Sequence, residues 1–418
     1  MVLHLMMNTT TGDSGDFLGF LDNQNIIEFT AMRFSTWTSR SIIELFTVTL
    51  VHVPLLWAML DIMVAVFIYT SLSSLFNASH KSYISWVIVI LILCYSYVDM
   101  DTAGWIPTTI PYTWTLSCGL YVFVSYRDAL LGHKTSLWKS SLCIIATLFA
   151  SNEEQLGAIM AVGGLIVFLE TVRRHRASAL VACETGIAML ECVVALTCPG
   201  NAARTAANTA YWLPEFSSFS TLHKLYLGFA STMNRYVYEG NILFLILCVM
   251  VVILVFRKTQ SPVARLISLV PLGAEVISSW MTSAATVSWP YLAVSTFMCQ
   301  NLQIGERSMG SLGLQVLVVV ALAVSVLIIY GWTWDSFINL VILGGGLGSR
   351  VCLGFSPSLF ASSSRTFIFM DFAIIMAILY AVGRSSDELT RNQKSTVLVA
   401  LGALASCSVV NVLAYLVQ

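Results

Sequence analysis

The sequence predicts an all-α membrane protein, a polytopic bundle of about 12 transmembrane helices with interfacial helices on its outer face. Two observations support this fold class. Of the 418 residues, 57% are hydrophobic and only 10% are charged, whereas an ordinary soluble domain has roughly 25% charged residues. In addition, apolar stretches close to the roughly 20 residues that a spanning helix needs recur from Leu55 to the C-terminus.

Twelve apolar segments are candidates for these spans. We expect them at Leu55–Phe76, Tyr83–Tyr97, Ile110–Ser125, Leu137–Ala150, Leu156–Val172, Ala177–Thr197, Asn241–Phe256, Ala264–Thr282, Ser311–Gly331, Ser336–Leu353, Thr366–Val382 and Thr396–Leu416. Residues 54–418 then form the multi-span domain, with outer loops at 99–112, 151–155, 198–239, 283–310 and 354–365. Residues 1–53 form a separate region on the outer side.

The N-terminal region has three apolar parts that are too short to span a membrane. Met1 to Met7 is a stub, so either the chain begins outside or its first helix is missing. Phe17 to Met32 mixes apolar and polar residues as an interfacial helix does. Ser41 to His52 ends before Pro54, and we expect it to lie in the interface or to dip partway in.

Basic residues predict the orientation, because the cytoplasmic loops of membrane proteins are enriched in Lys and Arg. Most basic residues fall on one side if Asn77 to Ser82 faces the cytoplasm. This set is Lys81, Arg127, Lys134, Lys139, Arg173, Arg174, Arg176, Arg257, Lys258, Arg265, Arg384, Arg391 and Lys394. The polar stretch Gly12 to Arg40 then faces the extracytoplasmic side.

A series of short motifs carries a family resemblance. They are TGDSGDFLGFLDNQ, RFSTWTSRSIIE, GWIPTTIPYTW, ASNEEQLG, CPGNAAR and GFSPSLFASSSRTFIFMD. In this order the chain resembles bacterial polytopic proteins of polysaccharide-synthesis loci, which are similar to the GT-C glycosyltransferase superfamily. The resemblance implies a GT-C-like fold, a polyprenyl-phosphate sugar donor, a glycan or glycolipid acceptor and a location in the bacterial cytoplasmic (inner) membrane.

The same resemblance implies a catalytic acid in the first outer loop. Asp13 is the closest match, and Asp16 is the next. The chain departs from the family at two points: Ser14 stands where a second acid is usual, and the helix before the loop is reduced to Met1–Met7. The choice between Asp13 and Asp16 therefore stays open.

The chemistry of sugar transfer requires similar residue types. A carboxylate must accept the proton of the acceptor hydroxyl, and a cation must stabilise the departing phosphate. Arginine suits the second task, because its planar guanidinium matches phosphate oxygens. We therefore predict Arg40, Arg204 and Arg365 as donor phosphate-binding residues that approach one another near the membrane surface. The alternative is that loop acids are solvated and that Arg40 anchors a helix at the headgroups.

Other polar and aromatic residues are weaker candidates. Glu153, Glu154, Gln155 and Trp105 are predicted to contact substrate, although a plain polar turn and an interfacial anchor explain them as well. Carboxylates within predicted helices line a cavity or find a partner. They are Asp61, Glu184, Glu191, Glu275 and Asp371.

Cofactors and other partners are not indicated. The ten cysteines form no CxxC pair, and no His cluster has metal spacing, so no metal is predicted, although a divalent ion remains compatible with the chemistry. A net charge of -1 gives no basic patch for nucleic acid. Two alternative functions are a lipid-linked polysaccharide polymerase or ligase and a polytopic transporter or flippase. The partners expected for the transferase are a lipid-linked sugar, its acceptor and membrane lipid.

Overall fold

The computed structural model describes residues 2–77, 79–285, 306–362 and 364–417. Helices dominate these residues, and no strand occurs among them, so the predicted all-α class is confirmed. The chain forms two compact units. Unit 1 comprises Met1–Phe216, Phe360–Phe369 and Leu389–Gln418, and unit 2 comprises Ser217–Leu359 and Met370–Glu388.

Unit 1 is built from the N-terminal helices and the last helix. Its α-helices are α1 (Val2–Met6), α2 (Asp13–Gly19), α3 (Ile26–Thr36), α4 (Ser41–Leu50), α5 (Pro54–Phe76), α6 (Ser82–Cys94), α7 (Trp105–Thr109), α8 (Thr115–Leu131), α9 (Leu137–Ser151), α10 (Glu154–Arg173), α11 (Ala179–Thr197), α12 (Pro199–Trp212) and α19 (Arg391–Val417). A π-helical turn at Ile110–Trp114 joins α7 to α8, and a 3-10 helix at Tyr97–Asp101 precedes α7.

Unit 2 is built from longer apolar helices. They are α13 (Thr221–Val237), α14 (Ile242–Lys258), α15 (Pro262–Ala285), α16 (Glu306–Tyr330), α17 (Trp334–Val351) and α18 (Ile368–Ser385), and the first two residues of α18 belong to unit 1.

Helices form at all twelve predicted positions, but the number of candidate spans is smaller. Within the described ranges, eight helices are long and apolar enough to cross a membrane, or nine if the bent pair α13–α14 counts as one span. Helix α6 has 13 residues and α9 has 15. At 1.5 Å per residue they reach about 20 Å and about 23 Å, short of a hydrocarbon core about 30 Å thick. The structure therefore supports a membrane protein with many helices, but it does not confirm about 12 spans.

Local signals explain where several helices start. Side chains of Ser136, Ser178 and Ser220 accept hydrogen bonds from the first turns of α9, α11 and α13, as N-caps do. The predicted interfacial helix at Phe17–Met32 is divided at Asn25, which forms a capping box with Glu28 and starts α3. The short helix expected at Ser41–His52 is α4.

The predicted outer loops contain regular structure. Residues 151–155 make a tight turn between α9 and α10, and the segment 198–239 contains α12 and α13. The loop predicted at 283–310 lies largely outside the described residues. Residues 1–53 belong to unit 1 together with the helices that follow them.

Candidate functional site

The polar connections of unit 1 meet at one end, which we call the loop end. Asn152, between α9 and α10, accepts hydrogen bonds from the backbone N–H groups of Ile42 (3.1 Å) and Ile43 (3.2 Å) at the start of α4. Asn201 of α12 donates to the hydroxyl of Ser39 (3.1 Å). Segments that are far apart in the sequence therefore converge here.

The opposite ends of the same helices carry the basic residues, and we call this the basic end. The ammonium of Lys139 lies 2.8 Å from Asp128, and Arg173 and Arg174 pair with Glu170. This separation within unit 1 agrees with the orientation expected from the positive-inside rule.

Two glycines position Asp13 at the loop end. The backbone N–H of Asp13, the first residue of α2, donates to the carbonyl of Ala103 (3.0 Å). Gly12 (φ +61°) and Gly104 (φ +90°) adopt conformations that residues with a side chain rarely adopt. A Cβ on Gly104 would lie 2.6 Å from the carbonyl oxygen of Thr11. The two turns pack closely because Gly12 and Gly104 have no side chains. This close packing fixes Asp13 against the turn that follows Tyr97–Asp101.

Asp13 lies in a mixed electrostatic environment that includes Arg365. Partial desolvation raises the pKa of the Asp13 carboxyl, and nearby Asp16 adds to this effect, while Arg365 and Arg33 oppose it. The guanidinium of Arg365 donates to the hydroxyl of Thr102 (3.3 Å), one residue before Ala103. The charge of Arg365 therefore acts on an exposed carboxyl whose pKa is raised.

A second carboxyl lies on the same turn. Asp101 accepts a hydrogen bond from the hydroxyl of Tyr415 (2.9 Å), near the C-terminal end of α19. Burial raises the pKa of Asp101, and the Tyr415 hydroxyl opposes the shift. Asp101 is not among the residues predicted for the site, and its place on the predicted outer loop 99–112 is the signal in the sequence that points to it.

Arg33 is the other cation near Asp13. It forms a paired hydrogen bond with Glu44 of α4, with Nε–Oε2 at 2.8 Å and Nη2–Oε1 at 3.0 Å. Its guanidinium also lies over the rings of Phe17 (5.7 Å) and Phe20 (5.3 Å). These contacts connect α2, α3 and α4, so Arg33 stabilises the support of Asp13.

Arg40 lies in a buried ion-pair network on the same end. Its side chain is 18% exposed and contacts both Glu153 (3.1 Å) and Glu154. Burial lowers the pKa of Arg40. The negative charges of Glu154 and Glu153 raise this pKa by a larger amount, so the net shift is upward. The guanidinium of Arg204 approaches Glu154 at 3.5 Å. Arg40 and Arg204 therefore converge on one carboxylate, while Arg365 contacts Thr102 instead.

The turn at 151–155 is mainly a structural connection. Glu153 is fully buried and caps α10 by accepting from the N–H of Leu156 (2.9 Å). Burial raises the pKa of Glu153, and Arg40 opposes this. Gln155 is also buried. Glu154, whose side chain is 26% exposed, is the member of this turn with the most open carboxylate.

Trp105, at the start of α7, is buried. It is 1% exposed, its ring stacks on Tyr97 (5.6 Å), and its edge contacts Tyr415 (6.4 Å). Protein covers the ring, so this position does not support the expected contact with a sugar.

The carboxylate of Asp61 in α5 is paired with other side chains of unit 1. Its carboxylate accepts from the indole N–H of Trp114 (2.8 Å) and the hydroxyl of Tyr97 (2.6 Å), and it lies 3.0 Å from Nε2 of His4. This cluster attaches α1 to unit 1, as expected for a buried acid that pairs with its neighbours.

An apolar groove opens beside the ion-pair network. It lies between α3 and α4, has a volume of about 500 Å³, and is lined in part by Ile27, Phe34 and Leu45. Ser41, which follows Arg40 directly, is at its rim. The groove is therefore an apolar surface next to charged groups.

No group of three or more His, Cys, Asp or Glu side chains in the described part of the chain is arranged to hold a metal ion. In comparisons with known proteins, no family model, no curated protein and no solved structure matches the chain.

Proposed function

We propose that the protein is a membrane glycosyltransferase that transfers a sugar from a polyprenyl-phosphate donor to a glycan or glycolipid on the extracytoplasmic face. The observation that carries the proposal is the position of Asp13 at the loop end of unit 1, where its backbone N–H donates to Ala103 and Arg365 donates to the neighbouring Thr102. The family resemblance supports the same reaction.

Asp13 is the proposed catalytic base. It accepts the proton of the acceptor hydroxyl while the hydroxyl oxygen forms a bond to the anomeric carbon of the donor. The bond from that carbon to the phosphate oxygen breaks, and the phosphate leaves with the electron pair. A raised pKa makes the ionised carboxylate a stronger proton acceptor. Asp16 is exposed and has a supporting electrostatic role.

Arg365 is the proposed partner of the leaving phosphate. Its contact with Thr102 orients the guanidinium near Asp13 and leaves other N–H groups for phosphate oxygens. Arg40 is less suited to this task, because Glu153 and Glu154 already neutralise its charge. We assign Arg40 to holding α4 and α10 together, and Arg204 to the rim of that network.

The apolar groove between α3 and α4 suits the lipid part of a substrate. Lipid chains require an apolar surface that is continuous with the membrane, and α3 and α4 lie in the segments that the sequence predicts to be interfacial. The substrate would then have its apolar chain in the groove and its polar head near the loop end.

A second candidate function is transport, and one observation favours it. Buried carboxylates occur within candidate spans of both units, including Glu184 in α11 and Glu275 in α15. Such residues often mark ion or proton paths.

The test is turnover of a labelled donor. Purified protein in liposomes should convert polyprenyl-phosphate monosaccharides into a labelled acceptor product and free polyprenyl phosphate. A polymerase or ligase would require a preassembled lipid-linked glycan, and a transporter would move the donor without cleaving it. Absence of turnover across a panel of monosaccharide donors and envelope glycolipid acceptors would contradict the proposal.

A further inference from the structure

The break between α13 and α14 brings buried carboxyls of unit 2 close to irregular backbone. The two helices meet at an angle of 77° and together are long and apolar enough for one span. Gly240 has a φ of +78°, and Asn241 caps α14 by accepting from the N–H of Phe244 (3.0 Å). Non-helical backbone at membrane depth is tolerated where protein encloses it or where it lines a cavity.

Basic residues at one end of unit 2 give the depth of the break. At 1.5 Å per residue, Glu275 lies about 15 Å along α15 from Arg265, and Asp371 lies about 20 Å along α18 from Arg384. If these arginines mark the cytoplasmic boundary, both carboxyls fall inside a hydrocarbon core about 30 Å thick.

Asp371 and Glu275 differ in the hydrogen bonds that they accept. Asp371 accepts from the hydroxyl of Tyr236 (2.9 Å) and the side-chain amide of Asn241 (3.3 Å). Glu275 is 3% exposed, and its Oε1 accepts from the backbone N–H of Asn241 (3.3 Å). Its Oε2 is buried and has no hydrogen-bond partner within the residues that the structure describes.

The charges around the break are unevenly distributed. Titratable and charged groups at the break include Arg235 and Tyr236 of α13, Tyr238 and Glu239 in the connection, Cys248 of α14, Arg350 of α17 and Asp371 of α18. From Met309 to Tyr330, α16 contributes Ser311, Gln315 and, at its end, Tyr330.

The two arginines act on the Asp371 side of the break. Arg235 and Arg350 interact electrostatically with Tyr236, the partner of Asp371. Glu275 is buried, accepts the N–H of Asn241 and lies near the thiol of Cys248. An ionised carboxylate in such a site is unfavourable, so the group takes up a proton instead.

We propose that Glu275 is a proton-binding site that controls the α13–α14 break. With the proton bound, the neutral carboxyl accepts the N–H of Asn241 and the break has the closed arrangement of this structure. Loss of the proton places a charge in an apolar site, and the break opens to bring that charge to water. The ligand is a proton, and this property is independent of the transferase reaction.

Hydrogen exchange of the reconstituted protein tests this proposal. After correction for intrinsic exchange, opening of residues 238–241 should increase by up to about tenfold per pH unit where Glu275 loses its proton. Glu275→Gln, which imitates the neutral acid, should remain closed and lose this dependence. Glu184→Gln is the matched control, because Glu184 is also buried with one unpartnered oxygen but belongs to unit 1. It should retain the dependence.

A second measurement uses the wild-type protein, so it does not depend on whether a variant folds. A hydrophobic carbodiimide reacts with protonated carboxyls, and mass spectrometry of the wild-type protein should find Glu275 labelled, with less labelling as the pH rises. Exchange at residues 238–241 that is independent of pH, a Glu275→Gln protein that keeps the wild-type dependence, or an unlabelled Glu275 would each overturn the proposal.

Discussion

Replacing Arg40 by Met should destabilise unit 1 because it leaves two carboxylates without their common counter-charge. Removing one partner of a buried ion pair costs about 3 to 5 kcal/mol. Here Glu153 is 0% exposed, while the side chains of Arg40 and Glu154 are 18% and 26% exposed. This partial access to solvent favours the lower end, about 3 kcal/mol. For a chain of this size the loss corresponds to a decrease in Tm on the order of 5 °C.

The assay is thermal unfolding of detergent-solubilised protein. The measured quantity is the fraction of protein that stays monodisperse after heating. Arg40→Met combined with Glu153→Gln and Glu154→Gln should recover most of the lost Tm, because the buried charges are removed together. Arg173→Met is the control at the basic end. Its side chain is 71% exposed, and Arg174 also pairs with Glu170, so little change is expected. An Arg40→Met protein as stable as the wild type, or a triple variant without recovery, would refute this account of the network.

Three further predictions concern the proposed base Asp13, the glycine turn that supports it and the orientation of the protein in the membrane. Transferase activity should rise with pH through the ionisation of Asp13, and Arg365→Gln should move this midpoint to higher pH, because Arg365 lowers the pKa of Asp13. A midpoint that stays constant or falls in pH–rate profiles would contradict the pairing. Gly104→Ala should cost about 1 to 2 kcal/mol from the positive φ alone, with an added clash at Thr11. Gly186→Ala, inside α11 with open space around it, should not destabilise the protein in the same unfolding assay, because alanine favours a helix more than glycine does. In a chain without native cysteines, Thr10→Cys should react with an impermeant maleimide in intact cells and Lys134→Cys only after permeabilisation, and the reverse pattern would overturn the orientation.

Helix positions were predictable because apolar periodicity and capping residues are local signals. The helices α5, α10, α11 and α19 occupy the predicted segments, with Pro54 and Ser178 near two of their starts. The number of about 12 spans is not confirmed, because eight or nine candidates occur among the described residues and α6 and α9 are apolar but short.

The amphipathic helix α13 was harder to predict. Its polar residues gave the segment the composition of a loop. The structure turns them toward partners inside unit 2, as in the hydrogen bond from Gln315 to Asn234 (2.8 Å).

The candidate site was predictable by residue type but not by pairing. Acids and arginines on the outer loops were visible in the sequence, yet nothing local connects Arg40 with Glu153 and Glu154 or Asp13 with Arg365. Those contacts depend on the packing of distant helices. The burial of Trp105 has the same origin, because its partners Tyr97 and Tyr415 come from two separate segments.

The most direct test of the central claim is the turnover of Asp13→Asn protein with a labelled polyprenyl-phosphate sugar. Asparagine keeps the shape of the side chain but cannot accept the proton, so kcat should fall on the order of 100-fold. Donor affinity should change little, because the proposed phosphate contact is Arg365. Asp16→Asn is the matched control and should have a much smaller effect. A folded Asp13→Asn protein that retained the wild-type kcat would contradict the assignment of Asp13 as the base.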